Sequence, residues 1–384
     1  MKDRRVWKFW RLENMWGNLD LNPDPIVRDN IMYSAYLGTM MGAYMSATGD
    51  KTFNADECFQ LQWKAGKTFD YDAPKIYEVV NQNFERAACG IFPCEPHWVF
   101  TLCNAMGMNA LLLSDQVNGT DYGTRRLKGF RQSIELEMTS VDGRWIPVTS
   151  VLLGFAIPAP STLFLDAPAA FFMNSIALDL ARRSWRIIRQ EAFDFSGGKP
   201  TLKMSNRPFD RLDTGNYMPS DIGAYASMIL AARETGDVEI YDAMQQALDK
   251  KFSPKLEQGE LSYKCSNSQN LFLSIGRFGR QNGFQDLLRT GLSDEQRNGP
   301  ILSEAPYPNV MVAKATTDGK ALSLVLRPGD EAGRFPLKLS RLQPGQKYNV
   351  SAAVMSELTA ERDGGGLIEV ELSDRLEVEI TPAS

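Results

Sequence analysis

The feature that most constrains this chain's fold is a change of hydrophobic period near residue 300. From residue 22 to about 300 the apolar residues recur mostly at helical spacing, and after Pro300 they alternate. Side chains i and i+4 share a helix face, whereas i and i+2 share a strand face, so one kind of layer cannot serve both. The reading is a mainly α domain over 1–300 and a small antiparallel β-sandwich-like domain over 305–384, with the boundary between 295 and 308.

Punctuation sharpens this division. Asp24-Pro25 is a helix start for 26–48, and Gly49-Asp50 ends it in the manner of a left-handed cap. Asp72-Ala73-Pro74 opens a helix to about 85, and 103–117 forms another that stops at Asn118-Gly119. Residues 133–140 alternate, Val141-Asp142-Gly143-Arg144 is a turn signal, and 145–155 resumes extended character, which predicts a β-hairpin. Helices are expected again over 168–190, 220–235, 239–251 and 269–279. Helices of this length joined by Gly/Pro/Asp turns predict stacked antiparallel hairpins, and closing them on themselves gives an α/α barrel with its cavity at the loop end. Six period-2 runs, at 309–316, 321–327, 336–342, 347–353, 367–372 and 376–381, make the β domain.

Composition excludes some classes. The chain is 43% apolar and 23% charged, as ordinary globular proteins are. Its formal charge is −5 with no basic block, which argues against a nucleic-acid footprint. Lys8, Arg11, Glu13 and Asn14 interrupt the start of the chain, so no signal-peptide core is expected. The most apolar run, 146–165, is broken by Pro147, Pro158 and Pro160 and is not read as a bilayer span. Five cysteines, an odd number, suit a reducing compartment, and a cytoplasmic location is expected.

The densest chemistry lies in Cys94-Glu95-Pro96-His97-Trp98-Val99-Phe100-Thr101-Leu102-Cys103-Asn104, which holds two thiols, a carboxylate and the single histidine. A thiol can donate, accept or attack once its pKa is tuned, although buried cysteines also serve as small hydrophobes. The spacing does not suit structural zinc, which wants close Cys pairs, and no metal is expected. Glu95 can act as a general acid or base or be a solvated carboxylate beside a turn, and His97 would need an orienting partner. Tyr33 and Tyr36, with Met32, Met40 and Met41, form a stripe that suits either core or the wall of an apolar pocket. Asp213, Tyr217 and Asp221 either face a barrel mouth or, with Ser220, help to open and cap a helix.

Together these residues resemble the linalool dehydratase/isomerase family. Asp24-Pro25 followed by Asn30-Ile31-Met32-Tyr33 match its Asp-Pro…Glu-Asn-Ile-Met-Tyr helix, and Tyr44 with Thr48-Gly49 continues that helix to its end. Cys94-Glu95-Pro96 followed by Phe100 and Cys103-Asn104, then Asp115 with Gly119-Thr120-Asp121-Tyr122, match in residue, spacing and order. The resemblance runs from about Arg5 to Tyr122, with a weaker echo at Asp221-Ile222-Gly223 and 231–237. It implies an α/α barrel, association into rings with the active site close to a subunit interface, and no organic cofactor. It also implies interconversion of a tertiary allylic alcohol with an alkene and with a primary allylic alcohol.

By position the catalytic cysteines carry over to Cys94 and Cys103, with Glu95 and Tyr36 expected to assist them. Tyr33, Met32, Met40, His97 and Trp98 are expected at the substrate, as are Phe100, Asn104, Tyr217 and Asp221. Where Tyr36 stands the family has a histidine, and a phenol with an ordinary pKa near 10 donates a proton but is a poor base. The family's chain also extends further before Arg5-Val6-Trp7, supplying an aspartate and a tyrosine there, so this chain is expected to begin inside the domain. The domain after 305 is absent from the enzyme that gives the family its name. The expected activity is a cofactor-independent lyase or isomerase reaction on an apolar, terpenoid alcohol or alkene of secondary metabolism, in a homo-oligomer. Three alternatives stay open: a terpenoid cyclase or rearrangement enzyme, a non-catalytic hydrophobe-binding or assembly protein, and a carbohydrate-active α/α barrel. The last would want paired carboxylates in a Trp-rich cleft.

Overall fold

Two kinds of helix alternate through the first part of the chain. The computed structural model describes residues 1–157, 162–203, 208–257, 260–329 and 331–383. Its helices begin with α1 (Arg4–Trp7), α2 (Trp10–Asn18), α3 (Ile31–Thr48), α4 (Ala73–Arg86), α5 (Thr101–Asn118) and α6 (Tyr122–Glu137). They continue with α7 (Leu163–Met173), α8 (Leu178–Ala192), α9 (Ile222–Thr235), α10 (Val238–Phe252), α11 (Asn267–Phe278) and α12 (Gly283–Arg289). Helices α3, α5, α7 and α9 are apolar on nearly every face, whereas α4 and α8 are strongly amphipathic.

A helix that is apolar all round needs cover on several sides. Accordingly α3 packs on α5, α5 on α7 and α7 on α9. Helix α4 lies against α3 and α5, α6 against α5, α8 against α7 and α10 against α9. Helix α11 packs on α9, and α12 returns to α3 and α5. Fully buried residues such as Met108, Leu111 and Ile229 fill the inner row, each side chain contributing about 1.5–3 kcal/mol by leaving water.

The chain divides into two compact units, Met1–Ser253 with Cys265–Gly291, and Pro254–Lys264 with Leu292–Ser384. In the second unit all strand pairing is antiparallel. One sheet joins Ile301–Glu304, Gly333–Ser340 and Gly366–Leu372. The other runs Val310–Thr317, Leu322–Pro328, Leu376–Pro382, Lys347–Val350, Glu357–Thr359. Inward residues alternate, as in Gly366, Ile368, Val370 and Leu372, and the sheets share one core that includes Leu326, Leu337 and Val378. The six alternating runs all form strands, the fourth shortened to Lys347–Val350.

Three local expectations need correction. Helix α3 begins at Ile31 rather than at 26, because Asp29 and Asn30 have φ of 48° and 50°, outside the right-handed helical region. Upstream, the buried Asp24 carboxylate accepts from the Ile26 amide at 3.0 Å and the Tyr71 hydroxyl at 2.8 Å, which holds this segment in a turn. The expected first arm of a hairpin at 133–140 is instead the end of α6 and the residues after it. There Phe130, Ile134 and Met138 are buried at a four-residue spacing that outweighs the local alternation. The turn itself is present, with Gly143 at φ 84°. The single helix expected over 168–190 is two, α7 and α8, parted where Asn174 bonds Glu234 and Ser175 bonds Asn109. Pro158 and Pro160 lie outside the described residues. Among the described residues no helix is long and apolar enough to cross a membrane.

Candidate functional site

The cysteine segment folds back on itself through a tight turn. Proline at 96 presets the first central φ, and His97 at φ 72° takes the left-handed second position, as in a type II turn. The Trp98 amide donates to the Glu95 carbonyl at 2.9 Å, and the Cys94 amide to the Trp98 carbonyl at 2.8 Å. Trp98–Phe100 then pairs with Val148–Ser150, and α5 starts immediately after. Buried Asn104 locks that junction: its amide nitrogen donates to the Phe92 and Phe100 carbonyls, and its oxygen accepts from the Phe92 amide, all at 3.0 Å. The reversal brings together two sulfurs nine residues apart.

Cys94 and Cys103 are both buried free thiols, and the Cys103 S–H donates to the Cys94 sulfur at 3.7 Å. The Cys94 pKa is pushed far up, first by that hydrogen bond and then by burial and by the charges of Cys103 and Glu95; the Met32 backbone N–H at the start of α3 opposes this in part. Cys94 is therefore a neutral thiol at ordinary pH, because a thiolate there would be desolvated and repelled. Burial also pushes the Tyr36 phenol up, and both thiols push the same way, with Cys103 the stronger. One carboxylate oxygen of Glu95, Oε2, is buried and makes no hydrogen bond. Cys94 thus lies within electrostatic reach of Cys103, Glu95 and Tyr36.

The other expected site residues sit as follows. Met32 and Met40 are 44% and 59% exposed, so their side chains lie at the surface of α3 rather than in the core. The buried Tyr33 donates its hydroxyl to the Met1 carbonyl at 2.9 Å. Nε2 of His97 meets the Gly17 carbonyl at 2.7 Å, which fixes the turn on α2. Trp98 is half-buried, its ring 6.4 Å from that of Phe155, and Phe100 packs against the core beside α5. Tyr217 is 79% exposed, and Asp221 is ion-paired with Lys251. Buried Asp213 accepts from the Ser266 amide at 2.6 Å and its hydroxyl at 2.5 Å, a structural tie between the start of α11 and the loop before α9.

One acidic residue joins the cluster without having been singled out as a site residue. Glu13, half-buried on α2, has its pKa raised by burial and then by the Glu95 charge. The available signal was the i, i+4 relation between Glu13 and Gly17, which shows only once Gly17 is known to pack on Pro96. A cavity of about 460 Å³ is walled by residues including Cys89, Ile91, Pro93, Val99 and Phe155; Cys94, Cys103 and Tyr36 are not among its lining. Among the described residues no group of three His, Cys, Asp or Glu side chains is placed to hold a metal ion.

Fold and cluster define a helix-built protein with a dithiol centre inside an apolar core. The chain belongs to the linalool dehydratase/isomerase family, whose model matches residues 1–269. Membership supports a lyase or isomerase activity on linalool-like substrates. Among solved structures the chain is similar to a GH127 beta-L-arabinofuranosidase from Geobacillus stearothermophilus T6, at 10% identity and a TM-score of 0.38 over 98% of this chain and 76% of that one.

Proposed function

We propose that this protein is a cofactor-independent hydro-lyase or isomerase for an apolar allylic alcohol of terpenoid type, and that the first unit is an α/α barrel. The observation that carries the activity is the buried Cys94–Cys103 pair, with Tyr36 and Glu95 in electrostatic reach. The barrel is supported by the alternation of inner and outer helices and by the return of α12 to α3 and α5.

Loss of water from an allylic alcohol needs one group to protonate the hydroxyl and one to remove a proton from carbon. Neutral Cys94 suits neither role well, and Glu95 suits both in turn. As a carboxylic acid Glu95 protonates the departing hydroxyl, releasing water and leaving an allylic cation. As a carboxylate it then takes a proton from the neighbouring carbon, which gives the alkene and restores the acid. Return of water to the far end of the same cation, with its extra proton passing to the Glu95 carboxylate, gives the primary alcohol and restores the acid. Polarizable sulfur and the Tyr36 ring suit positive charge on carbon without consuming it.

Met32, Tyr36, Met40 and Tyr44 recur every fourth residue on α3, and the two methionines and Tyr44 are exposed. This stripe is where a second copy of the chain would cover the site, in line with a ring whose active sites lie near its interfaces.

The test is anaerobic incubation of the full chain with linalool, followed by gas chromatography. An alkene and a primary alcohol are expected, both lost in Glu95→Gln. Absence of turnover with tertiary and primary allylic alcohols and with the alkene would overturn the activity.

A further inference from the structure

Residues 4–18 run as one nearly continuous helix, because Lys8 and Phe9, between α1 and α2, keep right-handed helical angles, with φ of −60° and −64°. Trp7, Trp10 and Asn14 are buried at helical spacing, so that face belongs to the core. A surface helix ordinarily carries charge on the opposite face. Here that face presents Phe9, Leu12, Trp16 and Leu19, which recur at i, i+3, i+7 and i+10. All four are exposed, Trp16 by 88% and Leu19 by 90%. Arg4, Lys8 and Arg11 follow one flank of this ridge at the same helical spacing. The Arg4 guanidinium donates to the Trp63 carbonyl at 2.7 Å, whereas Lys8 and Arg11 are exposed and make no ion pair among the described residues. Of the nearby acids, Asp3 pairs with Arg5, and Glu13 is half-buried on the other flank.

A second apolar projection stands beside the first. The loop 151–154 joins strands Val148–Ser150 and Phe155–Ile157 and exposes Val151, Leu152 and Leu153. Both projections are fastened to His97, whose carbonyl accepts from the Val151 amide at 2.9 Å and whose Nε2 meets the Gly17 carbonyl at 2.7 Å. A Cβ on Gly17 would lie 2.2 Å from Pro96 Cβ, so only glycine lets α2 sit this close to the turn. Apolar residues gathered on two elements tied to one turn differ from the single hydrophobes that ordinary surfaces scatter.

We propose that this face binds an anionic lipid surface, with the Phe9–Leu12–Trp16–Leu19 ridge and the 151–153 loop at the headgroup boundary and Lys8 and Arg11 against phosphate. Charge selects the occupant. The chain carries −5 overall, yet this face offers two cations without carboxylate partners beside an apolar ridge. An isologous contact with a second copy sets the patch against itself and brings both copies' cations together. Acidic headgroups answer those cations, indole sits well at headgroup level, and long basic side chains reach outward from apolar surroundings. Docking would set the turn that carries Cys94 beside the phase in which apolar alcohols collect. It is independent of the reaction given above, because it is read with no substrate present.

The experiment is flotation of the full chain with vesicles of mixed phosphatidylserine and phosphatidylcholine, and with phosphatidylcholine alone, at low and high salt. The wild type is expected to float with the anionic vesicles, several-fold less with the neutral ones, and less at high salt. Lys8→Ala with Arg11→Ala should weaken binding to anionic vesicles by about twentyfold. Leu12→Ser with Trp16→Ser should weaken it by about a hundredfold, and Leu152→Ser with Leu153→Ser by about tenfold or more. All of these side chains are exposed, so circular dichroism and melting should match wild type; single Trp16→Ser and Arg11→Ala variants repeat the comparison should a pair melt early. A wild type that stays in solution, or binding that survives any of the three double changes, overturns the lipid surface. So does an oligomer, seen by sedimentation velocity without lipid, that Leu12→Ser with Trp16→Ser breaks up, since the face would then belong to a second copy.

Discussion

The two units treat polar atoms in opposite ways. Among the described residues every buried polar or charged side chain belongs to the first unit, from Asn14 to Gln269, and none to the second. The second unit's core is aliphatic and aromatic, with Leu326, Leu337, Tyr348, Val370 and Val378 packed between strands whose polar residues face out. The first unit buries Asp24, Asn104, Asp213 and Glu234 and gives each hydrogen-bond partners. Polar burial costs free energy unless it is satisfied, so a fold that does it repeatedly is holding particular atoms in particular places. Among the described residues the second unit buries apolar side chains, whereas the first also holds polar groups in place.

That contrast can be broken or sharpened by substitution. The largest effect is expected at Glu95, where Glu95→Gln should lower kcat about a thousandfold, roughly 4 kcal/mol, with circular dichroism unchanged. Next, Leu326→Ala in the second unit should cost about 3 kcal/mol of that unit's stability by calorimetry, with turnover within about twofold of wild type. A parallel fall in turnover would erase the division of labour. Cys94→Ala should lower turnover by about a hundredfold with little change in melting temperature, since a neutral thiol is small and its removal leaves little void. A large melting shift with activity retained would make the pair simple core. The smallest effect is expected from Tyr36→Phe, which keeps the ring and removes the hydroxyl; a loss of about tenfold or less is expected if the ring serves the cation. A loss as large as that of Glu95→Gln would make the hydroxyl the acid.

Legibility followed the same divide. The strands of the second unit could be read because period 2 survives in runs such as 366–372, where every other residue is buried. Helices α4, α9 and α10 were readable from caps and spacing, as with Asp72 accepting from the Lys75 amide at 2.8 Å. Helix α6 was not, because residues 133–140, at its end and just after it, alternate by accident while the burying spacing runs through Phe130, Ile134 and Met138. At the candidate site the cysteines were brought together by the family resemblance, since their spacing alone also suited two core thiols; the hydrogen bond between them shows only in the fold. Glu13 could not be placed that way, because its relation to Glu95 depends on α2 docking across 80 residues of chain, through Gly17 and His97. The aromatic and methionine stripe of α3 looked uniform in sequence, yet Tyr33 is buried against Met1 while Met40 is at the surface.

Ser46 on α3 and Gln116 on α5 send their hydrogen bonds to carbonyls at Leu287 and Thr290, the far end of the helical unit. A ribosome that has just made Gln116 must add 174 residues before its partner exists. At ordinary elongation rates that is roughly 9–35 s. During that interval the faces of α3 and α5 that α12 covers stay open, and the long sequence separation makes closure slow even after release. Newborn copies therefore spend their first half-minute with apolar helix faces on offer, the period in which chaperone capture or clumping on polysomes is decided.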